Sequence, residues 1–164
     1  MTSVRNLRQL VPRRRLSSEE AFRLAELQAN RLLAMYELPG PPVPVSLIAQ
    51  LPKILVDQIA GIPVSGSAHW SGTHWVIVLH ANEPHTRKRF SLAHELKHIL
   101  DDPFRDFLYH HGGEEQRHRL AEAVANHFAA CLLMPKRWVY AALKSGISDV
   151  TDLAHLFGGC PGFC

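Results

Sequence analysis

The chain is short of cysteine, of net charge and of long apolar runs. Three cysteines in 164 residues exclude a disulfide-stapled scaffold and fit reduced thiols in the cytoplasm. A formal charge of +3 implies no nucleic-acid partner by itself. No stretch has the length of apolar sequence needed to span a bilayer. Residues 4–11 are too short, and too interrupted by Arg5 and Arg8, to form the core of a signal peptide. Internal repeats and low-complexity runs are also missing, which excludes solenoids and linkers.

What remains is an ordinary globular composition, 46% hydrophobic and 20% charged, at a length that suits one domain. Arg5, Arg8, Arg13, Arg14 and Arg15 crowd into the start of the chain. Residues 1–16 therefore read as a disordered basic arm. Residues 17–158 read as a single folded domain and residues 159–164, with Cys160 and Cys164, as a flexible tail. Cys131 lies on an apolar helix and reads as a small buried hydrophobe.

Ser17, Ser18, Glu19 and Glu20 mark a helix start, and the apolar spacing from Phe22 continues to about Tyr36. Val45 to Leu51 suggests a short helix, Ile54 to Ile59 a first strand and Ala68 to Trp70 a short second one. His74 to His80 is the best strand in the chain, and it leads into the next helix. Further helices are expected over residues 116–134, 136–144 and 149–157, with an aromatic, histidine-containing loop at 104–115. Together these predict an α+β fold, a sheet of about three strands packed on two long helices with further N- and C-terminal helices.

The chemistry concentrates in Arg89 to Leu100, where His94, Glu95 and His98 spell H-E-x-x-H. Histidines four apart lie one helical turn apart and can aim both imidazoles at one point. Glu95, beside the first of them, can then reach a water rather than the metal. Ser91 reads as the N-cap of this helix, and Leu92, Leu96, Ile99 and Leu100 as its apolar stripe. A catalytic zinc site needs a third protein ligand. The compact metzincin loop would want glycine at 101 and histidine at 104, where the chain has Asp101 and Phe104. Glu122, on the next long helix, is the better choice, with Ala121, Ala125 and Ala129 small enough for close helix approach. Asn126, one turn on, can hydrogen-bond a liganding imidazole. Glu114 and Glu115 are more simply solvated charges. His118, one turn before Glu122, is a weak candidate for a ligand or a transition-state donor and reads most simply as a surface histidine; Tyr109, His110 and His111 are further weak oxyanion donors.

The motif around His94 to His98, followed by Glu122-x-x-Ala125-Asn126-x-Phe128-Ala129 and Leu132-Leu133-Met134-Pro135, resembles the ImmA/IrrE family of bacterial zinc metallopeptidases. The resemblance covers about residues 20–157. It implies one Zn2+ held by His94, His98 and Glu122, with Glu95 as catalytic base. It implies a zinc-dependent endopeptidase that cuts a helix-turn-helix transcriptional repressor to relieve repression. Lys97 departs from the pattern, which usually has a small residue there; it would crowd or charge the cleft, or point to solvent. Thr151 to Gly158 resembles the first helix of the family's helix-turn-helix-like segment, but no second helix follows, so direct DNA binding is not expected. A non-catalytic, zinc-binding partner that sequesters a repressor is the competing reading, and the intact Glu95 argues against it.

Overall fold

The structure is a computed structural model that describes residues 4–159. It is an α+β fold in which a three-stranded mixed sheet packs on one long helix, itself packed on a second. The strands are β1 (Ile54–Ile59), β2 (Gly66–Trp70) and β3 (Trp75–His80), in the order β1-β3-β2. β3 is central, parallel to β1 and antiparallel to β2. Its alternation puts Ile77 and Leu79 into the core, the period of two that a sheet covered on one face requires. The strand that precedes the H-E-x-x-H helix is thus not an edge; the free edge beside that helix belongs to β2.

The helices are α1 (Val4–Arg8), α2 (Ser18–Met35), α3 (Ser46–Ala49), α4 (His85–Asp101), α5 (Arg105–Leu108), α6 (Glu114–Leu133), α7 (Lys136–Lys144) and α8 (Val150–Leu156). α2 starts with a capping box: the Ser17 hydroxyl accepts from the Glu20 amide, and the Ser17 amide donates to the Glu20 carboxylate. Arg14 adds a two-pronged contact to Glu20 at 2.6 and 3.1 Å, and the Glu20 carboxyl is held down at about 2, first by Arg14 and then by Ser17. α6 packs against both α2 and α4, so its buried Val124, Phe128 and Leu132 complete a core shared by all three.

Four expectations change. Residues 4–16 are not a loose arm: α1 forms there, and Leu7, Val11 and Leu16 are buried. Arg8 donates to the Ile99 carbonyl at 2.6 Å, and the Leu16 amide donates to the Phe107 carbonyl at 3.0 Å. Three apolar anchors outweigh the solubility of five arginines, since Arg5, Arg13, Arg14 and Arg15 stay exposed and Arg8 spends a donor on the Ile99 carbonyl. Ser91 is not a cap, because α4 begins six residues earlier after Pro84; Ser91 is buried in the helix interior. Part of the 104–115 loop is the short helix α5. Cys160 and Cys164 lie outside the described residues.

The fourth change concerns Lys97, which neither crowds a cleft nor meets solvent. It is 1% exposed, one turn before Asp101. Its ammonium donates to the Asp101 carboxylate at 2.5 Å and to Gln28 Oε1 at 2.8 Å. Tyr109 donates its hydroxyl to the other Asp101 oxygen, and Gln28 donates to the Leu7 carbonyl at 3.1 Å. Burial pushes the Lys97 pKa down and Asp101 pulls it back. A buried ion pair survives only when such partners satisfy its remaining donors and acceptors. This one ties α1, α2 and the segment after α5 to α4.

At the other end of α4, the buried Arg89 donates to the carbonyls of Phe157 (3.0 Å), Gly158 (2.6 Å) and Val43 (2.9 Å). It binds the end of α8 to the metal-motif helix. Gly158 has φ +73°, and a Cβ there would lie 2.3 Å from Arg89 Nη1, so only glycine fits.

Removing one member of a buried ion pair strands the other. Lys97→Met is expected to destabilise the fold by about 3–5 kcal/mol, read as a lowered urea midpoint. A second change, Asp101→Asn in the same chain, should restore part of the loss. An unchanged midpoint in Lys97→Met would show that the pair contributes nothing.

Candidate metal centre

His94 and His98 lie one turn apart on α4, on the wet edge of a helix whose other positions are mostly buried. Their Nε2 atoms approach to 2.9 Å. Glu122 projects from α6 so that one carboxylate oxygen lies 3.3 Å from His94 Nε2 and the other 3.1 Å from His98 Nε2. Four-coordinate zinc with ligands at about 2.0–2.1 Å holds its donors roughly 3.3–3.4 Å apart. The three donors therefore fit a zinc-sized cation nearly as they stand. Nitrogens and carboxylate oxygens this close repel unless a cation or protons lie between them.

The imidazoles are set up for that role. Asn126, one turn beyond Glu122, places its Oδ1 2.9 Å from His94 Nδ1. A proton on Nδ1, donated to that oxygen, leaves Nε2 free to face the centre. His98 is held below the usual histidine range, first by burial and then by the neighbouring His94, with Glu122 acting the other way. Low basicity keeps the ring neutral, the form that binds metal. Glu122 is 41% exposed, His94 14% and His98 21%, so the centre opens to solvent on the Glu122 side.

Glu95 is buried, with its side chain under the first residue of β2. A Cβ at Gly66 would meet Glu95 Cγ and Ser91 Cβ, each at 3.3 Å, and Leu79 at 3.4 Å. Glycine at 66 thus lets the edge strand lie against the helix at Glu95. Sequence reading missed this, because Gly66 falls in a turn-like run and the strand shows only in its pairing with β3. Burial first, and the Glu122 carboxylate second, push the Glu95 carboxyl up to about 7. A cation between the two carboxylates would draw it back down.

The structure brings His94, His98, Glu122 and Asn126 together, with Glu95 alongside. It does not bring the weaker candidates to them as free donors. His118 stands exposed in the first part of α6. Tyr109 is buried with its hydroxyl given to Asp101, and its pKa is raised by burial and by that carboxylate. His110 Nε2 lies 3.0 Å from the Leu16 carbonyl, and its ring is tilted against that of His111, with centroids 3.7 Å apart and planes at 47°.

A family model described as the IrrE N-terminal-like domain matches residues 53–159, which include both histidines, both glutamates and the sheet. Among solved structures, a Mycobacterium tuberculosis transcriptional regulator is similar at a TM-score of 0.66 and 18% identity. The match covers 82% of this chain and 43% of that one, so the chain spans less than half the length of its structural neighbour. At this identity the likeness speaks for the fold. No curated protein sequence matches.

The donor set makes a binding prediction. Glu122→Gln should sharply weaken zinc binding, and Asn126→Ala, which frees the His94 ring to turn, should weaken it by about 10–100-fold. Competition with a chromophoric chelator measures both. Parent-like affinity in Glu122→Gln would remove Glu122 from the ligand set.

Proposed function

Because the chain belongs to the peptidase M78 family through its IrrE N-terminal-like domain, we propose that it is a zinc-dependent endopeptidase. The observation that carries this is the convergence of His94, His98 and Glu122 with Glu95 left over beside them. A structural zinc site would fill its fourth position with another protein donor and would have no use for a free carboxylate at that place. His94, His98 and Glu122 hold the ion, and Asn126 fixes the His94 ring. When bound, zinc supplies Lewis-acid polarisation of the scissile carbonyl and makes water a better acid.

The chain's own residues do the rest. The Glu95 carboxylate accepts a proton from the attacking water and delivers it to the leaving amine nitrogen. Its burial beneath Gly66 keeps bulk water from competing for that proton. The free edge of β2 can accept an extended polypeptide as a further strand, with main-chain hydrogen bonds that hold it across the site. Such a substrate must present an unfolded or unfoldable stretch. The substrate we propose, on the family resemblance, is a helix-turn-helix repressor, cut once to relieve repression.

The test uses repressors encoded beside the gene, incubated with the purified chain with and without chelator. Cleavage is expected only without chelator. Glu95→Gln should retain its zinc and cut about 10²-fold or more slowly. Parent-rate cleavage by Glu95→Gln would refute the assigned base, while tight repressor binding with no cleavage by the zinc-loaded parent would favour sequestration.

A further inference from the structure

α6 carries a second set of donors on a different side from Glu122. His127 and Cys131 repeat the one-turn spacing of His94 and His98, and the His127 Nε2 to Cys131 Sγ distance is 3.5 Å. Across the helix pair, Glu26 of α2 brings a carboxylate oxygen to the same place, and all three donor atoms lie within 4.8 Å of one another. Five residues along a helix is a turn of roughly 140° from Glu122. The two sets therefore point away from each other, Glu122 towards α4 and this group towards α2. Phe22, one turn before Glu26, sets its ring edge to face against His127, with centroids 5.3 Å apart and planes at 85°. That contact restrains the imidazole with its Nε2 towards the thiol.

We propose that Glu26, His127 and Cys131 form a second site for a divalent transition metal of the zinc class, separate from the His94–His98–Glu122 centre. A thiol, an imidazole and a carboxylate together select a borderline-soft cation over magnesium or calcium, which prefer oxygen donors alone. The present partner of Glu26 is itself a cation: Lys136 Nζ lies 2.9 and 3.1 Å from its two oxygens. That pair is open to solvent, with Lys136 65% and Glu26 31% exposed. Exposed pairs of this kind are given up at little cost. Binding replaces the thiol S–H bond with a sulfur–metal bond, and the proton leaves to solvent. Burial, and then the Glu26 charge, hold the Cys131 thiol above its ordinary range. Without a metal it is thus a poor nucleophile, which separates this group from a cysteine–histidine catalytic pair. An occupied site would cross-link α2 to α6, the helix from which Glu122 projects.

Sulfur gives this site a signature that the first one lacks, since His94, His98 and Glu122 offer only nitrogen and oxygen. The reduced, metal-free full chain is titrated with cobalt(II), and near-ultraviolet thiolate-to-cobalt charge transfer is followed. The band should grow to one thiolate-ligated cobalt per chain. It should vanish in Cys131→Ser and persist in Cys160→Ser/Cys164→Ser. It should need at least tenfold more cobalt in His127→Gln, with circular dichroism showing that each variant is folded. It should also persist in Glu122→Gln, whatever becomes of peptidase activity, so failure here is distinguishable from failure of the peptidase reading. No band in the parent chain, a band that survives Cys131→Ser, or one that depends on Cys160 and Cys164 would overturn the proposal. Unchanged cobalt affinity in His127→Gln would do the same.

Discussion

Two imidazoles and a carboxylate held at 2.9 to 3.3 Å are an electrostatic problem that the fold must hold in place until a cation resolves it. α4 bears that strain, and buried positions next to the histidines anchor it. Facing the wet edge are His94 and His98; facing the interior, at the same one-turn spacing, are Lys97 and Asp101. The interior pair grips Gln28 and Tyr109, and Arg89 grips the end of α8. A helix fastened near both ends resists rolling, so the direction of its two imidazoles is set partly by the buried contacts of their neighbours on the same helix.

α6 is the second constraint. It packs on α2 and α4 at once, with small residues at Ala121, Ala125 and Ala129, all at or near zero exposure. That fixes Glu122 opposite the histidines and puts Asn126 one turn on, at 2.9 Å from His94. Loosening either helix would move the carboxylate and the orienting amide together, which is why the site depends on ordinary core packing as much as on its ligands. The Glu95 carboxyl depends on a different contact, the absence of a side chain at Gly66, which lets β2 close over it.

Most of the architecture was legible because it is written in short-range periodicity. The pattern of H-E-x-x-H, the helix carrying Glu122, and the run from Trp75 to His80 all show their elements locally. The sequence features that misled were those where tertiary partners decide. Arg5 to Arg15 obscured Leu7, Val11 and Leu16, whose spacing is too sparse to read as a helix yet enough to bury the segment. Lys97 read as a cation in the cleft or in solvent because a lysine alone in a core is forbidden; its partner Asp101 was visible one turn on, but Gln28 and Tyr109 come from other elements. Ser91 with Glu95 imitated a helix start, while the true one follows Pro84 and has no side-chain cap. Gly66 carried no local signal, because its reason lies in the helix it touches.

The central claim is that one cation sits among His94, His98 and Glu122 while Glu95 stays off it. The most direct measurement is a crystal structure of the zinc-loaded chain with an anomalous-difference map at the zinc edge. The account predicts a peak about 2.0–2.2 Å from both Nε2 atoms and from a Glu122 oxygen, with the Glu95 carboxylate outside bonding distance. A fully loaded crystal with no peak between those three side chains, or with Glu95 in place of Glu122 as the ligand, would contradict it.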